Sequence, residues 1–183
     1  MVQVRTELTA IKRKGLSAPM NSIYRSGLLH SGTSLLDYGC GRGGDVEYLE
    51  SFMGAVGYDP HPKFGKTCIR RNWFDIVTMI YVINVIPDPL ERANALAKAW
   101  SYVTAGGYMY VAARSQGEIA MLARRHSWKS HNDGWLTSRG TFQRGFSNQE
   151  MHDLCPTQDV RDYHIFSRRG YRMIRFKKLR RAV

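Results

Sequence analysis

Cysteine is scarce in this sequence, and acid is outnumbered by base. Only Cys40, Cys68 and Cys155 occur, widely spaced and odd in number. That pattern excludes a disulfide framework and gives no zinc or other metal-ligand spacing, and it suits a reducing cytoplasm. No run of about 18 apolar residues is present, which excludes a membrane-spanning helix. Met1–Val2–Gln3–Val4–Arg5 carries no long apolar stretch, so no signal peptide is expected. Internal repeats and low-complexity tracts are lacking as well. Asp and Glu number 15 against 27 Lys and Arg, giving a net charge of +12. This imbalance points to an anionic partner, most plausibly nucleic acid, although a generally basic surface would leave the same composition. A chain of 183 residues suits one domain, 1–183, and 43% hydrophobic residues can bury a core.

What the sequence does hold is a strand that runs into glycines. Ser34–Leu35–Leu36–Asp37–Tyr38–Gly39–Cys40–Gly41–Arg42–Gly43–Gly44–Asp45–Val46 opens as a short apolar run and passes into an amphipathic segment with Val46, Leu49, Phe52 and Met53. Strand, glycine turn, helix is a nucleotide-binding arrangement, because glycine lets backbone approach a ligand and take positive φ. The glycine spacing alone also fits a dinucleotide fingerprint. The acids separate the two ligands. Asp37 and Asp45 would repel a pyrophosphate at the helix N-terminus, which argues against a nicotinamide dehydrogenase. S-adenosylmethionine, with a sulfonium, an ammonium and no phosphate, meets no such repulsion. Asp59 ends a second apolar strand, Ala55–Tyr58, about 20 residues beyond Gly39, the spacing at which an acid takes hydrogen bonds from ribose hydroxyls.

Along the chain, residues 1–30 form a basic segment with Arg5, Lys12, Arg13 and Lys14. Ser17 is placed to cap a helix from about Pro19 to Ser26, with Met20, Ile23 and Tyr24 on one face. Phe74–Ile83 is the longest apolar run and reads as a central parallel strand. Asp88, Pro89 and Glu91 make a clear helix start, with Leu90, Ala93, Leu96, Ala97 and Trp100 at helical spacing until Gly106–Gly107. Tyr108–Ala113 is the next strand, with Arg114 at its ligand-facing end. Residues 115–146 interrupt the alternation; a short helix around Ile119–Arg125 precedes Asp133–Gln143, a loop too long to be passive and a candidate lid or acceptor site. Ser147 with Glu150 is a capping box, and two strands about Asp162–Phe166 and Tyr171–Leu179 form a hairpin.

The string Asp37–x–Gly39–x–Gly41–x–Gly43 resembles motif I of class I S-adenosylmethionine-dependent methyltransferases, and the element order resembles that fold across nearly the whole chain. The resemblance implies an α/β, Rossmann-like sheet, mostly parallel with a C-terminal antiparallel hairpin. A narrower resemblance is carried by Thr9–Arg13, Leu35–Gly43, Gly57–Pro60, Tyr81–Ile86, Asp133–Gly134 and Leu136–Gln143, which are similar to methyltransferases associated with DNA phosphorothioation systems. It implies S-adenosylmethionine as cofactor, held by Asp37, Tyr38, Gly39, Cys40, Gly41, Asp59, Pro60, Ile80 and Tyr81, with Asn72 and Trp73 where this fold reads the adenine. Asn84, Arg114, Asp133, Arg139, Gln143, Lys12, Arg13 and Lys14 are candidates for the acceptor or nucleic acid. Two strings of DNA methyltransferases are missing. Asn84–Val85–Ile86–Pro87 replaces the Asn/Asp-Pro-Pro-aromatic string of amino-methylating enzymes, and Cys155–Pro156 reverses the Pro-Cys of cytosine-C5 enzymes. An oxygen acceptor and an unusual nitrogen one both stay open, and no general base is evident among His126, His131, Asp133 and Tyr81. The rival expectation is a binding module of a modification or defence assembly, with a protein partner and no turnover.

Overall fold

The computed structural model describes residues 4–64, 71, 73–156 and 159–180. Asn72 and Cys68 lie outside these. Six strands form one sheet in the order β2-β1-β3-β4-β9-β8. β1 (Ser34–Tyr38), β2 (Gly54–Tyr58), β3 (Phe74–Ile80) and β4 (Val103–Arg114) run parallel. β9 (Tyr171–Lys178) inserts antiparallel between β4 and β8 (Val160–Arg168), so the C-terminal hairpin completes the sheet as expected. Parallel strands buried on both faces need apolar residues at every position. β1 shows this: Leu35 packs with α1 (Ala18–Tyr24) and α2 (Gly44–Leu49) on one face, through Met20, Ile23 and Leu49. Leu36 packs on the other with Trp100 of α3 (Pro89–Trp100) and Met151 of α5 (Asn148–Asp153). Each such side chain, fully withdrawn from water, contributes about 1.5–3 kcal/mol.

Local chemistry sets the element ends. Ser17 accepts from Met20 N–H and caps α1. Asp88 accepts from Leu90 and Glu91 N–H at the start of α3, and Ser147 with Glu150 closes the capping box of α5. β3 stops at Ile80, short of the apolar run's end at Ile83, because Tyr81 turns into the left-handed region at φ 60°. α3 keeps Leu96 and Trp100 of the stripe its spacing suggests against the core but turns Leu90, Ala93 and Ala97 outward. Leu90 is 69% exposed and Arg92 only 6%, so Arg92, Ala99 and Trp100 form the inner stripe. The reason is electrostatic: the Arg92 guanidinium reaches inward to two carboxylate oxygens and a carbonyl. β4 begins at Val103, before the two glycines, with an irregularity in its register to β3.

Residues 115–146 fold into α4 (Gln116–Arg125), capped by Ser115, and a small antiparallel sheet of β5 (Lys129–His131), β6 (Gly134–Leu136) and β7 (Phe142–Gln143). Phe142 is fully buried and anchors it. No described helix is long and apolar enough to cross a membrane.

Candidate active site

The C-terminal edge of a parallel sheet is where open α/β folds place ligands, and this edge opens into a cavity of about 580 Å³. Its floor is the glycine turn after β1. Gly39 sits at φ +81, and a Cβ there would lie 2.4 Å from Val82 Cγ2, so only hydrogen fits. Gly39 and Cys40 N–H both donate to the Tyr58 carbonyl, at 2.7 and 3.2 Å. Asp59 fastens the turn from the other side. Its Oδ2 accepts from Gly41 N–H at 2.8 Å and its Oδ1 from His61 N–H at 2.8 Å. The carboxylate is thereby held in one orientation at the cavity wall, with lone pairs left over.

Asp37 lines the cavity from the end of β1. Thr78 Oγ1 donates to its Oδ1 at 2.8 Å. Burial, reinforced by the nearby Asp45 charge, nonetheless pushes its carboxyl up to about 7, against the Thr78 hydrogen bond. Such a group gains from a cation beside it. Asp45 serves the fold as well as the cavity. It accepts from Ser17 N–H at 2.6 Å and Ser17 Oγ at 2.7 Å, tying α2 to the start of α1. Burial also raises the Cys40 thiol to about 12, so it is no nucleophile, and raises the Tyr81 hydroxyl above its ordinary range.

The roof is the N-terminal segment. Thr6, Glu7, Thr9, Ala10, Ile11 and Arg13 line the cavity, beginning with a short 3-10 turn over Thr6–Thr9. Ala10 packs so close to Gly41 that a Cβ on the glycine would lie 3.0 Å away. Arg42 Nε donates to the Ala10 carbonyl at 3.2 Å, Arg5 N–H to the Gly140 carbonyl at 2.9 Å, and the Arg13 guanidinium lies 5.9 Å from the Tyr81 ring centre. The sequence marks this segment by its charge and, through Thr9–Arg13, by a family resemblance, but neither places it over the cavity.

The residues expected for the cofactor divide clearly by position. Asp37, Tyr38, Gly39, Cys40 and Gly41 line the cavity, as do Asp59, Pro60, Ile80 and Tyr81. Trp73 does not. It precedes β3, is 56% exposed, and donates its N–H to the Tyr102 carbonyl at the opposite edge of the sheet. Seven residues of β3 separate it from the ligand edge, roughly 20 Å at about 3.3 Å per residue. The placement of Asn72 lies outside the described residues.

Of the acceptor candidates, Arg13 alone lines the cavity, while Lys12 and Lys14 are exposed beside it. Arg114 is held by Glu118 in a two-bond pair of 2.9 and 2.8 Å at the end of β4. Asn84 is buried, with Nδ2 3.5 Å from Gln143 Oε1, and its Oδ1 has no protein partner among the described residues. Asp133 is committed elsewhere: it pairs with Arg92 through Nη1 at 3.2 Å and again through Nη2, and with Arg144 Nε at 2.8 Å. Arg139 lies exposed in the turn before β7. Thus Asp133–Gln143 stands beside the cavity mouth, touching Asn84 and residue 5, with the preceding Asn132 bonded to the Pro87 carbonyl, and the roof expected of it is supplied by the N-terminal segment. Among the described residues, no three of His, Cys, Asp or Glu cluster to hold a metal.

The residues present fit S-adenosylmethionine. A glycine turn with no room for a side chain, a fixed carboxylate after β2 and a second carboxylate that gains from positive charge are what a ribose and a sulfonium amino acid require. Fold and cavity therefore define a class I methyltransferase. A family model described as a methyltransferase domain matches residues 12–162, and the chain belongs to that family, whose members depend on S-adenosylmethionine. Solved structures share the fold. A Methanosarcina mazei S-adenosylmethionine-dependent methyltransferase is 17% identical with a TM-score of 0.64, over 91% of this chain and 100% of that one. A possible histamine N-methyltransferase of Thermotoga maritima is 16% identical with a TM-score of 0.62, over 87% of each chain. The 1,6-didemethyltoxoflavin-N1-methyltransferase of Burkholderia thailandensis, solved with S-adenosylhomocysteine, is 16% identical with a TM-score of 0.61, over 88% of this chain and 77% of that one. No curated protein matches by sequence.

Proposed function

We propose that the protein methylates an acceptor on or beside nucleic acid, with the cofactor held by Asp37, the Gly39–Gly41 turn and Asp59, and that it works in a reducing cytoplasm. The observation that carries the acceptor reading is the charge at the cavity's rim: Arg13, Arg42 and Lys98, with Lys12 and Lys14 exposed beside Arg13, outnumber Glu7 and Glu91 there, while Asp37, Asp45 and Asp59 lie buried within. A polyanion is drawn to such a rim.

S-adenosylmethionine, when bound, supplies a methyl group already activated by the sulfonium. What the chain contributes is alignment and a dry site. Residues 6–13 exclude water from above, and Tyr81, held at positive φ, projects the end of β3 into the cavity. No base is required where the acceptor atom carries a lone pair or ionises by itself, which agrees with the raised Tyr81 hydroxyl. A small-molecule acceptor is the second reading, favoured by the roof that Thr6–Arg13 lay over part of the cavity.

The test is transfer from methyl-labelled S-adenosylmethionine to separate pools of DNA, RNA and small metabolites, followed by mass analysis. Label in nucleosides supports the proposal, label only in the small-molecule pool supports the second reading, and binding without transfer leaves a binding module.

A further inference from the structure

The sheet has one face that its helices leave partly open. Residues paired across antiparallel strands share a face. Tyr108, Arg175 and His164 therefore lie on one side of β4, β9 and β8, together with Lys177, Phe166 and Arg168. α5 packs on the other side, where Tyr163 meets its His152. α1 covers the upper end of this face, where Met20 and Ile23 pack with Tyr110, Ala112, Tyr171 and Met173 and Ser22 Oγ bonds Tyr171 OH, and leaves the lower end open. His164 and Arg168 are exposed, and Tyr108, Phe166, Arg175 and Lys177 half-buried. The groups interleave charge with rings. The Arg175 guanidinium and the Lys177 ammonium lie 5.3 and 5.1 Å from the Tyr108 ring centre, and the His164 and Phe166 rings meet edge to face at 4.5 Å. One acid, Asp162, answers Arg175 at 3.6 Å, so the face keeps a positive excess.

We propose that this face docks single-stranded DNA. Rings set among cations on an open sheet suit unstacked bases above and phosphates at the sides. Along β8 the open edge of this face, from Asp162 to Arg168, spans roughly 20 Å, about three nucleotides. A duplex hides its bases from such rings. Among the described residues the face offers no Ser, Thr, Asn or Gln, while its Tyr, Arg, Lys and His groups can each meet a 2′-hydroxyl, so the rU12 arm of the test decides between DNA and RNA. The proposal shares a class of partner with the proposed function but does not depend on methyl transfer.

The experiment is fluorescence anisotropy of a labelled dT12 oligonucleotide with the full chain, without cofactor, across a salt series. Binding is expected, with a logarithmic salt slope of about −2 to −3, as for three or four phosphates. His164→Ala with Arg168→Ala, both exposed, should weaken it about tenfold, and Lys177→Ala should flatten the slope. Phe166→Ala should weaken it similarly, with circular dichroism checking the fold. Arg124→Ala with Arg125→Ala on α4 should change nothing. No binding, equal binding by the variants, or tighter binding of a duplex or of rU12 would overturn the proposal. Because the assay contains no methyl donor, its failure leaves the proposed methyl transfer standing, and failed transfer leaves the docking face standing.

Discussion

Asp37 answers to two opposed demands. Folding favours its neutral form, since burial has raised the carboxyl to about 7 from an ordinary 3.8, while a cationic ligand favours the charged form. The linkage has a definite sign. A carboxyl whose folded pKa lies above its unfolded value stabilises the fold most at low pH and loses that contribution as pH rises from about 4 through about 7. Asp37→Asn, which still accepts from Thr78, should therefore melt a few degrees higher than the wild type at pH 8, with a smaller gain at pH 5, and should bind S-adenosylmethionine poorly. Thermal melts at both pH values check the first part. In the wild type, cofactor affinity should rise from pH 6 to pH 8 as the carboxyl ionises. A flat profile by calorimetry would show that Asp37 does not face the cation. Asp133 is a residue of another kind. Its Asp133→Ala variant leaves the buried Arg92 guanidinium with only the Ile86 carbonyl, and should cost about 3 kcal/mol of stability in urea melts with cofactor affinity unchanged.

At the scale of elements, the strongest signals were local ones. The cap at Ser17, the start of α3 at Asp88 and the capping box at Ser147 were legible because each is a short pattern whose hydrogen bonds close within three residues. What was not legible depended on distant partners. The inner stripe of α3 follows Arg92, whose carboxylate lies 41 residues away on the β5–β6 turn, and no helical periodicity can foresee that. The roof over residues 6–13 was hidden for the same reason, since its anchors are Arg42 and Gly140. The roof leads through residues 14–16 into α1, whose cap Ser17 is held by two bonds to Asp45. Asp45→Ala should loosen both, costing about 2–3 kcal/mol in stability and weakening cofactor binding. Hydrogen exchange at residues 5–13 is the readout. It should slow when S-adenosylmethionine is added to the wild type and respond little in the variant. Equal slowing in both would detach the roof from α1.

At the scale of the molecule, the apolar run of β3, the glycine turn and the two strand-ending acids specify the sheet and its ligand edge. The charge of +12 specifies only that something anionic is near. The structure gathers part of that charge at the cavity rim and on one face of the hairpin, two places no composition can name. The central claim concerns the rim's interior: the cavity over Gly39 and Gly41 holds S-adenosylmethionine, with Asp59 bonding its ribose. Titration calorimetry tests it most directly. The wild type should bind one molecule per chain, and Asp59→Ala should bind about 10–100-fold more weakly, the effect of losing about 1.5–3 kcal/mol of hydrogen bonding to a charged group. No heat of binding with the wild type, or equal affinities in the two proteins, would contradict the claim.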